Sequence, residues 1–308
     1  MNKNFGDPLP HQWFSEKPID VTLFRINRRE LDPKRPTIIP RYSEELLIHL
    51  RAVLELSGTI SMREDGRKWN IGNLVNHPDD GALTARIGSI STEQTVRSDF
   101  DDESKAWKDG PTEITRTSVT GIAVLESRRV VGIAPMPGVS AKSIARVLAK
   151  ALNDGEKLLP VPVTDWHVDP VMDEVAFWKW INETSRVTEI KTVFARPNPD
   201  GAEAWESEMA RLDALEAASI TETLKARDQE AGLNKSALKQ DQAFESKVSA
   251  AKKSWAMISA KGVKDDQKVT YSQESSVASE RITRKVTSWP VFIEGLIDAT
   301  IRGRRKIG

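Results

Sequence analysis

Ile190-Lys191-Thr192-Val193-Phe194-Ala195, followed by Arg196-Pro197-Asn198-Pro199-Asp200-Gly201, is the stretch on which the fold reading turns. Its first half is rich in β-branched residues and reads as a strand. Its second half packs two prolines, an asparagine and an Asp-Gly pair into a dense turn signal. Working outward, Trp205, Met209, Leu212 and Leu215 recur at helical spacing. Ser219 to Lys225 alternates as a second strand, and Lys235 to Lys252 is helical. Ser254 to Ala260 and Lys268 to Ser272 then form two more strands, joined by Lys261 to Gln267. This βαβαββ order predicts helices on one face of a sheet in a ferredoxin-like arrangement. Val291 to Ile301 supplies a closing helix before Gly303-Arg304-Arg305-Lys306.

The first half reads less regularly. Ile19 to Asn27 alternates as a strand, and a basic, proline-bounded loop follows. Ser43 caps a helix carrying Leu46, Leu47, Leu50, Val53 and Leu54, which Gly58 ends. Short strands are expected around Thr59–Met62 and Ala82–Ser91. Residues 92–113 are polar and charged, and are expected to be an exposed loop. A hairpin follows, from Ile114 to Leu125 and from Arg129 to Ala134. Ser140 opens a helix with Ile144, Val147, Leu148 and Ala151 on one face. Leu158 to Val163 is read as an edge strand or connector, and Val171 to Ile181 as an amphipathic helix. The expectation is an α+β protein of two domains with mixed sheets: 1–160, and 161–308 with a basic tail.

Composition narrows the function classes. The 308 residues carry 45 basic and 45 acidic side chains, so no whole-protein charge argument for nucleic acid or membrane is available. The chain has no cysteine, which excludes disulfides, thiolate metal sites and a cysteine nucleophile, and fits a reducing cytoplasm. No apolar run approaches the ~20 residues needed to span a bilayer. Nine tryptophans against two tyrosines mark packing anchors or interface positions.

Charge is polarised along the sequence. Arg25 to Arg41 holds six basic and two acidic residues; Arg281 to Gly308 holds seven and two. Lys150 to Thr221 holds seven basic against fourteen acidic residues. Basic clusters can neutralise phosphates without reading bases. Arg28, Arg29, Lys34, Arg35, Arg41, Arg302, Arg304, Arg305 and Lys306 are therefore the candidate nucleic-acid contacts. Equally, Arg302, Arg304 and Lys306 complement the negative pole of the last helix.

Other constellations are sparser. If extended, Asp165, His167 and Asp169 point to one face and could offer two carboxylates and an imidazole to a cation. The alternative is a solvated loop with Asp169 as N-cap and Pro170 as first helical residue. His77-Pro78-Asp79-Asp80-Gly81 reads as a turn. Met136-Pro137-Gly138-Val139-Ser140-Ala141-Lys142-Ser143 lacks the two spaced glycines of a phosphate-binding loop, so Ser140 is a plain N-cap. No dinucleotide fingerprint or nucleophile elbow is present, and no cofactor is expected.

Asp169-Pro170 leading into Phe177-Trp178, a strand running into Arg196-Pro197-Asn198-Pro199, and the later Ser254-Trp255-Ala256-Met257-Ile258 occur in sequence. This order, over residues 168–276, resembles a loose group of bacterial and prophage proteins of phage-defence type. The group includes the DNA-binding sensor of the Rex phage-exclusion system. The resemblance implies a non-enzymatic dimer that binds duplex DNA through basic surface and signals to a partner protein; the composition gives the expectation of a cytoplasmic location, and a homodimer is the form of dimer expected. Two other function classes stay open. One is a protein–protein adaptor, suggested by the tryptophans and the acidic middle segment. The other is a metal-dependent hydrolase or nuclease using Asp165, His167 and Asp169.

Overall fold

The computed structural model describes residues 18–30, 46–58, 60–61, 67–101, 106–160, 164–195, 210–212, 214–217 and 219–307. Among the described residues, twelve strands form two sheets. The first has eight: β1 (Ile19–Glu30), β2 (Ile60–Ser61), β3 (Lys68–His77), β4 (Ala82–Asp101), β5 (Ala106–Leu125), β6 (Val130–Ile133), β7 (Thr164–Pro170) and β12 (Ser279–Ile282). Its order is β12-β1-β6-β5-β4-β3-β2, with β7 added on β1. The second sheet holds β8 (Arg186–Ala195), β9 (Ser219–Lys225), β10 (Ala256–Lys264) and β11 (Gln267–Ser272) in the order β11-β10-β8-β9.

The α+β class holds, but every strand pair among the described residues is antiparallel, so the sheets are not mixed. The ferredoxin-like expectation survives as one unit. β8 lies between β9 and β10 and pairs antiparallel with both, so β9 and β10 run parallel across it. The helical connection from β9 to β10 makes this a split βαβ. That connection breaks into α4 (Lys235–Gln240) and α5 (Gln242–Lys252) at Asp241, whose extended backbone and side chain cap α5 by accepting from Ala243 N at 2.9 Å.

Helices do cover one face of the second sheet. Phe177 and Ile181 of α3 (Glu174–Glu183) pack with Phe244, Val248, Val187, Ile258 and Tyr271. The first sheet is instead covered on both faces, because successive residues at the Gly121–Leu125 end of β5 and throughout β6 lack polar side chains. Ile122 and Val124 of β5 face α1 (Leu46–Leu56) and α2 (Ala141–Glu156), while Ala123 and Leu125 face α6 (Trp289–Ile307). Trp69 and Trp166 anchor one side and Trp289 the other. The first sheet takes strands from both sides of residue 160, since β7 and β12 share one edge of β1. Pro170 ties the sheets together: its carbonyl accepts from Ser254 Oγ and from Gln273 Nε2, each at 3.1 Å.

Residues 92–113 are not a loop. β4 and β5 stay paired from Ala82–Leu125 out to Asp101–Ala106, so the hairpin runs on as a two-stranded ribbon beyond β3. Residues 92–113 carry only Val96, Phe100, Ala106 and Trp107 as apolar side chains, too few to register the alternation that marks a half-buried strand. Thr164–Pro170 is also a strand rather than a loop before a helix. The N-cap of α3 is Asp173, which accepts from Ala176 N at 3.0 Å, not Asp169. Ser140 caps α2 as expected, accepting from Ser143 N at 3.1 Å. Ser43 and the turn 196–201 lie outside the described residues. Among those described, no helix is long and apolar enough to cross a membrane.

α2 sits tight against α1. A Cβ on Gly155 would overlap the backbone carbonyl oxygen of Val53, and backbone cannot rotate away. Gly155→Ala is expected to cost about 1–3 kcal/mol, as overpacked cores do, read as a lower urea midpoint with unchanged slope.

Candidate anion-binding site

The register of β1 against β7 brings two separate sequence candidates together. Residues directly opposed in an antiparallel pair share a face. Arg25 opposes Asp169, Asn27 opposes His167 and Arg29 opposes Asp165 on one face. Phe24, Ile26 and Arg28 oppose Pro170, Val168 and Trp166 on the other. The Asp165-His167-Asp169 triad therefore faces a basic strand. It is also divided: Asp169 Oδ2 accepts from Asn27 Nδ2 at 2.7 Å, while His167 Nε2 and Asp165 Oδ2 lie 2.8 Å apart. Among the described residues, no three His, Asp or Glu side chains are grouped to hold a metal ion.

Arg25 is the unusual member of this face. It is 8% exposed, and its Nε has no hydrogen-bond partner among the described residues. Asp169, directly across, spends its carboxylate on Asn27. A buried cation without compensation is costly. Like charges make it worse. On its other edge Arg25 pairs with Val130, just after the β5–β6 turn carrying Arg128 and Arg129. The Arg25 guanidinium is lowered to about 10, first by burial and then by the charge of Arg128. Arg129 is lowered to about 10 by burial, then by Arg28 and Arg25. Both remain protonated at neutral pH in folded and unfolded chains, so the penalty there is constant.

The turn itself is strained. Arg128 (φ 64°) and Arg129 (φ 54°) both adopt the left-handed conformation, which costs a residue with a Cβ roughly 1–2 kcal/mol. Strain of this kind persists where surrounding structure imposes it and clusters at functional sites. Arg128 is exposed, so its side chain adds little packing to offset the strain. Arg128→Gly is therefore expected to stabilise the fold by about 1 kcal/mol, as a higher melting temperature, while weakening any anion binding at this corner.

Arg28 lies on the other face, 6% exposed, with its guanidinium carbon 5.9 Å from the Trp166 ring centroid. Trp166 Nε1 donates to Glu156 Oε2 at 2.9 Å. This is structural surrounding rather than free surface, and proline-flanked Lys34, Arg35 and Arg41 lie outside the described residues. The backbone of Arg29 is placed in β1 opposite Asp165.

The basic tail forms the last turn of α6 and not a loose extension. Arg302 Nε lies 3.8 Å from Glu280 and its NH2 donates to the Arg281 carbonyl at 2.7 Å. Lys306 also pairs with Glu280. Arg304 is half-buried and Arg305 exposed. Gly303 abuts Leu23, two positions before Arg25 on the same face of β1. The two cationic stretches thus meet only in part: the end of α6 comes to the Arg25 face, whereas Arg28 is on the opposite one. Arg128 and Arg129 were not among the sequence candidates. The available signal was an Arg-Arg pair in a hairpin turn, a position where glycine or asparagine is the usual choice.

The chain matches a family model described as a domain of unknown function (DUF4747) over residues 136–291. That span takes in the 168–276 stretch, and nothing in it ties the chain to phage exclusion. No curated protein matches the chain.

Proposed function

We propose that this chain, which belongs to the DUF4747 family, is a non-enzymatic nucleic-acid-binding protein that grips phosphate at the corner formed by Arg25, Arg128 and Arg129. The observation that supports it is the buried Arg25 guanidinium, whose Nε lacks a partner and whose neighbours are further arginines. An anion beside Arg25 would offset the cost of burying its guanidinium. The reading moves the site away from the tail, where Glu280 already answers Arg302 and Lys306.

Fluorescence anisotropy of a short labelled DNA duplex at rising salt tests the proposal. With about three phosphates neutralised, log K should fall linearly against log salt with a slope near −3. Absence of binding at low salt would remove the reading. A sensor role in anti-phage defence, with a homodimer and a partner protein, is the further part of the proposal and is supported by the resemblance of residues 168–276 alone. Phage plaque counts on cells expressing the chain, with and without Arg25→Met, test it. Equal counts would discard that part while leaving the binding proposal in place.

A further inference from the structure

We infer that β9 is a dimerisation edge, at which a second copy of this chain adds its own β9 antiparallel and joins the two four-stranded sheets into one. This deepens the homodimer part of the reading above, rests on it, and gives that homodimer a surface.

β9 closes one side of the second sheet, and among the described residues it pairs with β8 alone. The phase of that pairing decides what it offers outward. Ala226 N donates to Thr188 O at 2.9 Å, so Ala226, Leu224 and Glu222 turn their backbone groups toward β8. In an antiparallel pair such residues alternate with ones whose N–H and C=O point away. Thr221, Thr223 and Lys225 therefore present theirs to the free edge, and all three are exposed. An open row of this kind is a template for another strand. Other edges are blunted: β2 has two residues and β12 four, β11 carries Lys268 inside the strand, β7 ends on Pro170, and β5 holds Pro111 in its ribbon. β9 has seven residues in unbroken register, no proline, and a single lysine at its last position.

A second copy fits by charge. Glu216 is exposed just before β9, and Lys225 and Arg227 are exposed at its far end. Antiparallel pairing sets the basic end of each copy beside the acidic approach of the other. Asp228 is already engaged, accepting from Glu230 N at 2.8 Å. With the two-fold axis at Thr223, Thr223 faces its own counterpart, Thr221 faces Lys225, and Glu222 faces Leu224, an apolar side chain left 37% exposed. No like charges are opposed, and threonines pair favourably across strands. An axis at Glu222 would instead set two carboxylates face to face. An isologous contact of this kind closes at two copies.

Size exclusion coupled to light scattering should give the full chain a mass near twice 34.4 kDa. Thr223→Lys sets two ammonium groups face to face and should return the mass to that of one chain. Thr223→Pro should do the same, because it removes an outward N–H that makes no ladder bond within its own copy. The chain has no cysteine, so Thr223→Cys is a sole thiol. Its counterpart would lie about 5.5 Å away between Cα atoms, and a short bis-maleimide should link the two copies. Thr270→Cys, exposed on β11 at the opposite edge of the sheet, should stay unlinked. A parent chain of single mass at about 100 μM would overturn both the surface and the homodimer reading. A dimer that persists in Thr223→Lys and Thr223→Pro, or that links through Thr270→Cys instead, would overturn the β9 surface and leave the homodimer in place.

Discussion

Arg25→Met is expected to make the protein more stable while removing its affinity for phosphate. Arg25 is more than nine-tenths buried, and burial and a neighbouring arginine lower its guanidinium to about 10. Each unit of such a shift corresponds to about 1.4 kcal/mol, so the charge costs the folded state on the order of 3 kcal/mol. Methionine is unbranched and adapts to irregular space, so it can occupy the stem's position without the charge. Replacing buried charge by apolar side chains is often neutral to stabilising by 1–4 kcal/mol. Calorimetry should therefore show a higher melting temperature for Arg25→Met than for the parent chain. A drop would mean that Arg25 is held by interactions its surroundings do not reveal. Together with a loss of binding, the gain would separate a functional residue from a structural one.

The second large effect is expected at Glu156. Only 1% exposed, it sits at the end of α2 and gathers three groups: Trp166 Nε1 at 2.9 Å, the Thr164 amide at 3.2 Å and His49 Nε2 at 2.9 Å. Two of these belong to β7 and one to α1, so this carboxylate joins α1, α2 and β7. Asn153, one turn earlier, adds a clasp by accepting from Trp166 N and donating to Trp166 O, both at 2.8 Å. Glu156→Ala leaves a buried indole N–H and a backbone amide without their acceptor, at about 1–3 kcal/mol for each group so stranded. A total loss of about 3 kcal/mol or more is expected in urea unfolding, with Glu156→Gln losing less because it keeps an acceptor for the indole. A near-neutral Glu156→Ala would show that water replaces the carboxylate and that β7 is held by its pairing to β1 alone.

The sequence made some of this visible. β-Branched composition and alternation found β1, β9 and the β5–β6 hairpin, and helical spacing with a serine cap found α2, whose buried Ile144, Val147, Leu148 and Ala151 share one face. It did not reveal the β4–β5 ribbon, whose outer half carries few apolar residues. It missed β12 as well: a strand of four residues, Ser279–Ile282, is too short for a period to register. At the candidate site, the sequence supplied Arg28, Arg29 and the Asp165-His167-Asp169 triad as unrelated clusters. Only the pairing of β1 with β7 puts them on one strand pair, and that pairing spans well over a hundred residues. The importance of Arg25 over Arg28 depends on which face each strand position takes and what already fills it. Trp166 and Glu156 fill the Arg28 side. Neither fact can be read from local spacing.

The measurement that bears most directly on the account sets two double variants against each other in DNA binding across a salt series. One is Arg25→Met with Arg128→Gly at the corner, and the other is Arg304→Ala with Arg305→Ala at the end of α6. The corner pair should lower affinity at least about tenfold and flatten the salt slope by about 2, with the tail pair close to the parent chain. A tail pair that abolishes binding while the corner pair binds like the parent would contradict it.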